Sequence, residues 1–449
     1  MWKKTRFYYW IVKGFIEKHK WILIPAAVIG ALTFFQLPFL IKYFPQPKTT
    51  KHVGRVGSYS LSNLPRDIQD KISRGLTFID EEGRPQPDLA LDWKILDEGK
   101  TYVFTLKDEQ YWQDGTKVVA SDIDYTINDV SLEVLDEKTV AFKLEEPYSA
   151  FPSVLSQPLF KRRQVSYLQV VEQSKIIGTG THKLKKLTFN GNSLESLILE
   201  SDQEKIIYKF YPTEQSAVLA FKLAEIDTIE DLSNPGDLKD WTGIRISQEV
   251  DNQQYAVIFF NTEDEFLTNK QLRQALTYTT PKFSDDKVRA LGPISPESWA
   301  YNPNVKPYAY SLETALGLLD NVTTDFVLEL STTPAFASVA EEVRQSWLQL
   351  GINVNVRIVN LPDTQNYQAL LIGQRIPSDP DQYLLWHSTQ EGNITHYQSA
   401  KVDKLLEDGR KELDENERQQ IYFDFQRFLV EDSPAAFLYF LDRYTVERR

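Results

Sequence analysis

Residues 87–124 read PDLALDWKILDEGKTYVFTLKDEQYWQDGTKVVASDID, the stretch of the chain densest in local structural instructions. Trp93 to Leu96 reads as a first strand and Asp97-Glu98-Gly99-Lys100 as a turn. Tyr102, Phe104 and Leu106 then alternate with Thr101, Val103 and Thr105 along a second strand. The product is a β-hairpin with one aromatic face. Gln113-Asp114-Gly115-Thr116 is a second turn, where Gly115 supplies a positive φ that a side chain resists. Ser121 and Asp124 have the spacing of a capping box, which predicts a helix from Asp122.

The stretch also resembles the extracellular solute-binding proteins of family 5, the peptide- and nickel-binding receptors of ABC importers. Their pattern runs LA-x-SW, strand, turn, strand, then W-x-DG-T-x-x-A-x-D. Leu89-Ala90, Asp92-Trp93, residues 102–106, Trp112, Asp114-Gly115-Thr116, Ala120 and Asp122 fill it. Further segments follow in the family's order: Gly75-Leu76, Asp136-Glu137-Lys138, Gly178-Thr179-Gly180, Glu225-Ile226-Asp227, Phe260-Asn261-Thr262, residues 272–276, the loop 293–301 and Asp379-Pro380. The resemblance implies a class II periplasmic-binding-protein-like α/β fold with two main lobes. Its small subdomain is trimmed, because so little chain separates the capping-box residues from the next hairpin, at residues 132–144.

The N-terminus adds something else. No charge occurs between Lys20 and Lys42, so residues 21–41 supply about the 20 apolar residues that cross a bilayer. Lys3, Lys4, Arg6, Lys13, Lys18 and Lys20 precede them against the single acid Glu17, which by the positive-inside rule keeps the N-terminus cytoplasmic and the large domain outside. No small-x-small cleavage site follows the apolar run, which favours an uncleaved transmembrane helix over a signal peptide. The chain has no cysteine, so the lipidated cysteine that tethers many family members is impossible and the helix takes its place; disulfides and thiolate metal sites are excluded too. The first 44 residues hold seven Lys or Arg and one Glu, so the −13 of the whole chain leaves −19 on the remainder. A body this acidic is a poor partner for nucleic acid.

The expected organisation is a cytoplasmic basic segment at 1–20, a membrane anchor at 21–44 and a linker at 45–52. A first lobe follows at 53–252, with the trimmed subdomain at about 88–155, then a second lobe at 253–430 and a terminal strand at 431–449 that returns to the first lobe. Within it, residues 54–60 read as a first strand and 66–76 as a helix. Residues 183–189, 194–200 and 205–211 read as a meander, and Thr213 caps a helix whose Ala217, Val218, Phe221 and Leu223 face a core. Strand 254–261 and helix 267–278 open the second lobe. Strand 326–331, helix 335–350 and strand 352–359 form a β-α-β unit with a parallel pair, and helices 401–413 and 416–430 and strand 435–446 finish the chain.

Catalysis needs a poised nucleophile, base or metal, and little here answers. His182, His387 and His396 stand in no HExxH, G-x-S-x-G or calcium-loop spacing and read as structural or surface residues. Asp379-Pro380-Asp381 could offer a cation two carboxylates, but its simpler reading is a turn. Gly178-x-Gly180 lacks the further glycine and the Lys-Ser/Thr of a phosphate loop and reads as a strand that needs close backbone approach.

A binding protein needs instead a cleft between lobes with aromatic walls and a few polar groups. The resemblance places Tyr59, Asn261, Trp299 and the segment 376–386, with Ile376, Pro377, Asp379 and Trp386, along that cleft. The expectation is a monomeric, membrane-anchored substrate-binding protein that needs no cofactor, metal or catalytic residue, captures a peptide or other small solute and delivers it to an ABC permease. Two other classes stay open. A tethered interaction or sensing module would show a collapsed cleft, and a hydrolase would show a nucleophile and base within hydrogen-bond reach.

In family members that bind oligopeptides or dipeptides, an aspartate pairs with the ligand's α-ammonium, in a pattern like W-x-A-D-Y-x-D-P. Aligning Asp379-Pro380 with that Asp-Pro puts Ile376 at the aspartate and Pro377 at the tyrosine. The resemblance then implies a ligand without a free amine, unless a one-residue gap brings Asp379 or Asp381 into the role.

Overall fold

Two long antiparallel strands, residues 244–260 and 435–448, pair along most of their length. The computed structural model describes residues 9–10, 13–22, 25–26, 48–60, 63–165, 173–283 and 287–449. The chain divides into two units, Met1–Thr50 with Asp202–Lys205, and Lys51–Ser201 with Ile206–Arg449. In the first, residues 13–22 are helical and Lys13 lies 3.9 Å from Glu17. Most of the expected anchor at 21–44 lies outside the described residues. Among the described residues no helix is long and apolar enough to cross a membrane.

The chain opens with β1 (Thr49–Val56), α1 (Arg66–Ile72), β2 (Thr77–Ile79) and β3 (Pro85–Pro87). The first strand thus starts earlier than expected, and the helix stops at Ile72. The reason is tertiary: the backbone N–H groups of Gly180 and His182 donate to the carbonyls of Ile72 (2.9 Å) and Lys71 (2.8 Å), which a longer helix would use. A Cβ on Gly178 would stand 2.0 Å from the Ile72 oxygen, so the Gly-x-Gly serves close backbone approach.

The quoted stretch folds as the hairpin β4 (Ala90–Leu96) and β5 (Thr101–Leu106), with Trp93 opposite Phe104. With β6 (Val130–Val134) and β7 (Thr139–Leu144) it forms a sheet of order β4-β5-β7-β6. Its aromatic face is buried: Phe104 packs edge-on to Phe142 at 5.8 Å, and Phe151 of α2 (Phe151–Val154) lies 5.1 Å from Tyr102. The helix expected from Asp122 does not form, and a single 3₁₀ turn, Ala120–Asp122, stands there. The Asp122 carboxylate is held by Trp112 Nε1 at 2.9 Å and by the N–H of Val119 at 3.2 Å. Ala120 and Ile123 are buried in the aromatic cluster, which draws the chain away from a helical path.

After β8 (Lys161–Val165) and β9 (Gln173–Ile177) come the meander β10 (Lys183–Asn190), β11 (Ser193–Glu200) and β12 (Glu204–Tyr211), then α3 (Glu214–Lys222) and β13 (Thr228–Leu232). Thr213 caps α3, its side chain accepting from the N–H of Ser216. Ala217 and Phe221 are buried and Val218 packs beside them. Leu223 is 63% exposed, against expectation, because α3 ends at Lys222 and Leu223 follows the outward side of Leu219.

The second half carries β14 (Ile244–Phe260), α4 (Lys270–Thr279), α5 (Leu312–Leu318), β15 (Val327–Thr332), α6 (Ala337–Leu348), β16 (Asn353–Ile358), β17 (Ala369–Arg375), α7 (Tyr383–Trp386), α8 (Ala400–Lys411), α9 (Glu415–Asp432) and β18 (Ala435–Arg448). The parallel β15–β16 pair with α6 is the expected β-α-β unit. Trp347 of α6 is wholly buried and donates Nε1–H to the Leu276 carbonyl at 3.0 Å. The main sheet runs β10-β11-β12-β1-β13-β18-β14-β17-β15-β16. Its continuity comes from β14 and β18, whose register breaks between Asp251 and Tyr255. A bulge bends a sheet where it falls, and the residues it frees lie beside the site described next.

Candidate functional site

β17 ends at Arg375, and the seven residues that follow carry the chemistry. The Ile376 N–H donates to the Gln253 carbonyl at 2.8 Å, extending the pairing across the β14 break. Pro377 and Pro380 lack an N–H, so the loop cannot continue as strand. Asp379 Oδ1 accepts the Asp381 N–H at 2.9 Å, and Asp381 Oδ1 accepts the Tyr383 N–H at 3.0 Å, two successive Asx turns that lead into α7.

Both carboxylates are already engaged. Arg418 of α9 meets Asp379 with Nη2 at 2.6 Å from Oδ1 and Nη1 at 3.2 Å from Oδ2, and Ser153 Oγ adds a bond at 3.3 Å. Arg410 Nε lies 3.2 Å from Asp381 Oδ2, its guanidinium stacked over Tyr383 and Tyr148 at 4.4 and 4.7 Å. Burial pushes the Asp381 carboxyl above its ordinary range, and the Arg410 charge opposes that shift. Arg418 also donates Nε–H to the Gly409 carbonyl at 2.8 Å.

A cavity of about 30 Å³ lies where this loop meets the turn at 79–83 and the loop at 294–298. The walls press together here. A Cβ on Gly83, at φ 83°, would stand 2.7 Å from the Ser378 carbonyl oxygen. Trp299 donates its N–H to the Glu82 carbonyl at 3.0 Å, and Arg84 Nη2 lies 2.9 Å from Glu415. Asp80 is spent on its own turn, accepting the N–H groups of Glu82 and Arg84 and an amide hydrogen of Gln86.

One lining residue is different. Gln382 has no exposed surface, yet neither its Nε2 nor its Oε1 has a hydrogen-bond partner among the described residues. Trp386, one turn on, is also buried with its Nε1 unpaired. Leaving a buried polar group unmet costs about 1–3 kcal/mol, and native proteins keep few such groups.

Residues 84–395 match the family model described as Bacterial extracellular solute-binding proteins, family 5 Middle. The chain belongs to this family. Among curated family 5 proteins it is 25% identical to the oligopeptide-binding protein AppA of Bacillus subtilis, over 88% of this chain and 87% of that one. It is 23% identical to the probable D,D-dipeptide-binding periplasmic protein DdpA of Escherichia coli, over 83% and 82%. Among solved structures, NikZ of Campylobacter jejuni in complex with Ni(L-His) is similar at TM-score 0.74 and 26% identity, covering 90% of this chain and 95% of that one. AppA of B. subtilis in complex with a nonapeptide gives 0.69 at 22% identity, covering 90% and 95%.

Within this family 5 fold, the residues singled out by sequence disperse. Ile376 and Pro377 line the cavity. Trp299 meets the turn at Glu82 through its N–H, with Arg418 5.5 Å from its ring centre. Asp379 is the partner of Arg418. Trp386 packs in a hydrophobic core, 6.0 Å from Phe259. Asn261 donates Nδ2–H to the Tyr367 carbonyl at 3.0 Å and accepts the Glu263 N–H, and so organises a loop. Tyr59 rests on Phe210 at 5.1 Å, its hydroxyl donating to the Val56 carbonyl. His182 lies against Thr181, and His387 between Thr389 and Glu407. Gln382 lies within the segment 376–386 expected along the cleft but is not distinguished there by sequence. Its only signal was a neutral polar residue amid the apolar and aromatic residues of α7, and that does not reveal burial.

Proposed function

We propose that this chain is the membrane-tethered, extracytoplasmic receptor of an ABC importer, and that it captures a peptide-like solute without a free amine between its two lobes. The observation that carries the reading is the position of the cavity: between a first-lobe turn and two second-lobe loops, beside the register break of the strands that join the lobes. Bending there opens and closes such a cleft. The relatives' names and titles, with oligopeptide, D,D-dipeptide, nonapeptide and Ni(L-His), support the solute class. The ligand's charge follows from Ile376, which stands buried where an ammonium partner is expected, and from Asp379 and Asp381, which serve arginines instead.

A second reading, an interaction module that kept the fold without transport, is favoured by the cavity's small volume of about 30 Å³. Native mass spectrometry of the full-length chain, offered mixed free and N-acetylated short peptides, separates the two. A peptide adduct is the expected result. No adduct with peptides, sugars or metal ions would establish the interaction module.

A further inference from the structure

We infer that Gln382 is the group with which this cleft reads its ligand, and that the feature it reads is a neutral amide edge with a donor and an acceptor side by side. The inference rests on the importer reading above and deepens it.

Gln382 is fixed in place. Its carbonyl accepts the N–H groups of Leu385 (3.0 Å) and Trp386 (3.1 Å), which pins its backbone at the start of α7. The preceding residues are pinned by the Asp381–Arg410 and Asp379–Arg418 pairs. Gln382 is one of the residues around the cavity, it is wholly buried, and one N–H₂ and one C=O of its amide are unspent among the described residues. A planar amide offers those two functions on one edge, and its complement is another amide edge. The N–H and C=O of one residue in an extended peptide present such an edge, and so does a lactam.

The surroundings select against a negative charge. Among the described lining residues there is no Lys or Arg, so a ligand carboxylate finds no counter-charge. Of the acids, Asp80 is used by its turn, and Glu297 accepts from Asn252 at 2.7 Å. Glu81 is exposed, so water and salt screen it. Two neutral sources share the chemistry that remains: the mid-chain unit of a peptide blocked at both ends, and a cyclic dipeptide.

The test uses the full-length chain and Gln382→Met, which keeps the volume and removes both polar functions. The first readout needs no ligand. Met should leave the melting temperature unchanged or raise it, because it discards groups with no partner; a fall of more than about 5 °C would mean the amide is bonded within the protein and would overturn the inference alone. The second readout is native mass spectrometry followed by calorimetry with two pools, N-acetyl tripeptide methylamides and cyclic dipeptides. The pool retained identifies the source. For a retained member, Gln382→Met should weaken binding about thirtyfold, and replacing the ligand's amide N–H by an ester oxygen should weaken wild type but not the variant. Equal affinity in wild type and variant overturns the inference and leaves the importer reading intact. Retention of neither pool by wild type overturns the inference; if the earlier screen of free peptides, sugars and metals also finds nothing, the importer reading falls with it.

Discussion

Arg418 grips both oxygens of Asp379, at 2.6 and 3.2 Å, and the two side chains are 7% and 10% exposed. The pair joins α9 to the loop after β17, and Ser153 from the small subdomain joins it. With the Asp381 N–H, four hydrogen bonds occupy this carboxylate.

Breaking that pair from one side strands a buried charge, which costs about 3–5 kcal/mol. We expect Arg418→Met to lower the urea midpoint accordingly with an unchanged slope, and the double change with Asp379→Asn to recover part of the loss. Asp379→Asn alone should reduce stability without shifting any preference between free and N-acetylated peptides. Calorimetry with a matched pair checks this, and a new preference would show that Asp379 does meet the ligand.

Gln113 ties residues 87–124 to the link between β9 and β10. Its Nε2 lies 3.0 Å from the carbonyls of Ile72 and Gly180 and 2.8 Å from that of His182, while Oε1 accepts the Gly178 N–H at 3.3 Å. Gln113→Ala should cost about 1–3 kcal/mol. Hydrogen exchange should accelerate at Gly178 and Gly180 while α6 stays protected; a uniform change across the chain would contradict this local role.

Lys282 predicts a pH effect. Burial, with Arg289 adding to it, pulls its amine down to about 7, and Nζ donates to the Thr277 carbonyl at 2.8 Å. The unfolded chain keeps that proton up to about pH 10.4, so between pH 7 and 10 the unfolded state binds more protons and stability rises with pH. Below pH 7 the folded state carries the full burden of a buried charge. Lys282→Met should therefore raise the melting temperature most at pH 6, with the gain shrinking toward pH 10. A gain that is the same at both pH values would refute the assignment.

The proposed anchor is checked by extraction of membranes with alkaline carbonate. The chain should stay with the membrane and retain Met1, because its apolar run lacks a cleavage site. A soluble chain beginning near residue 45 would remove the anchor from the account.

The sequence by itself determined the elements whose cause is local. The hairpin Ala90–Leu106 follows from alternation around a turn, the Thr213 cap from a side chain three residues from its donor, and the β15-α6-β16 unit from periodicity bounded by Gly351. Tertiary contact decided the rest. A capping-box spacing at Ser121 yields no helix, because Trp112 holds the Asp122 carboxylate and the core claims Ile123. Helix α1 loses its last turn to the segment bearing Gly180, between β9 and β10. Asp379 resembles a ligand contact until Arg418, 39 residues away, neutralises it. Gln382 looks like any polar residue until three segments distant in sequence close over it. Local signals are written in neighbouring residues, but burial and charge pairing depend on which distant groups arrive, and a single sequence does not state those distances.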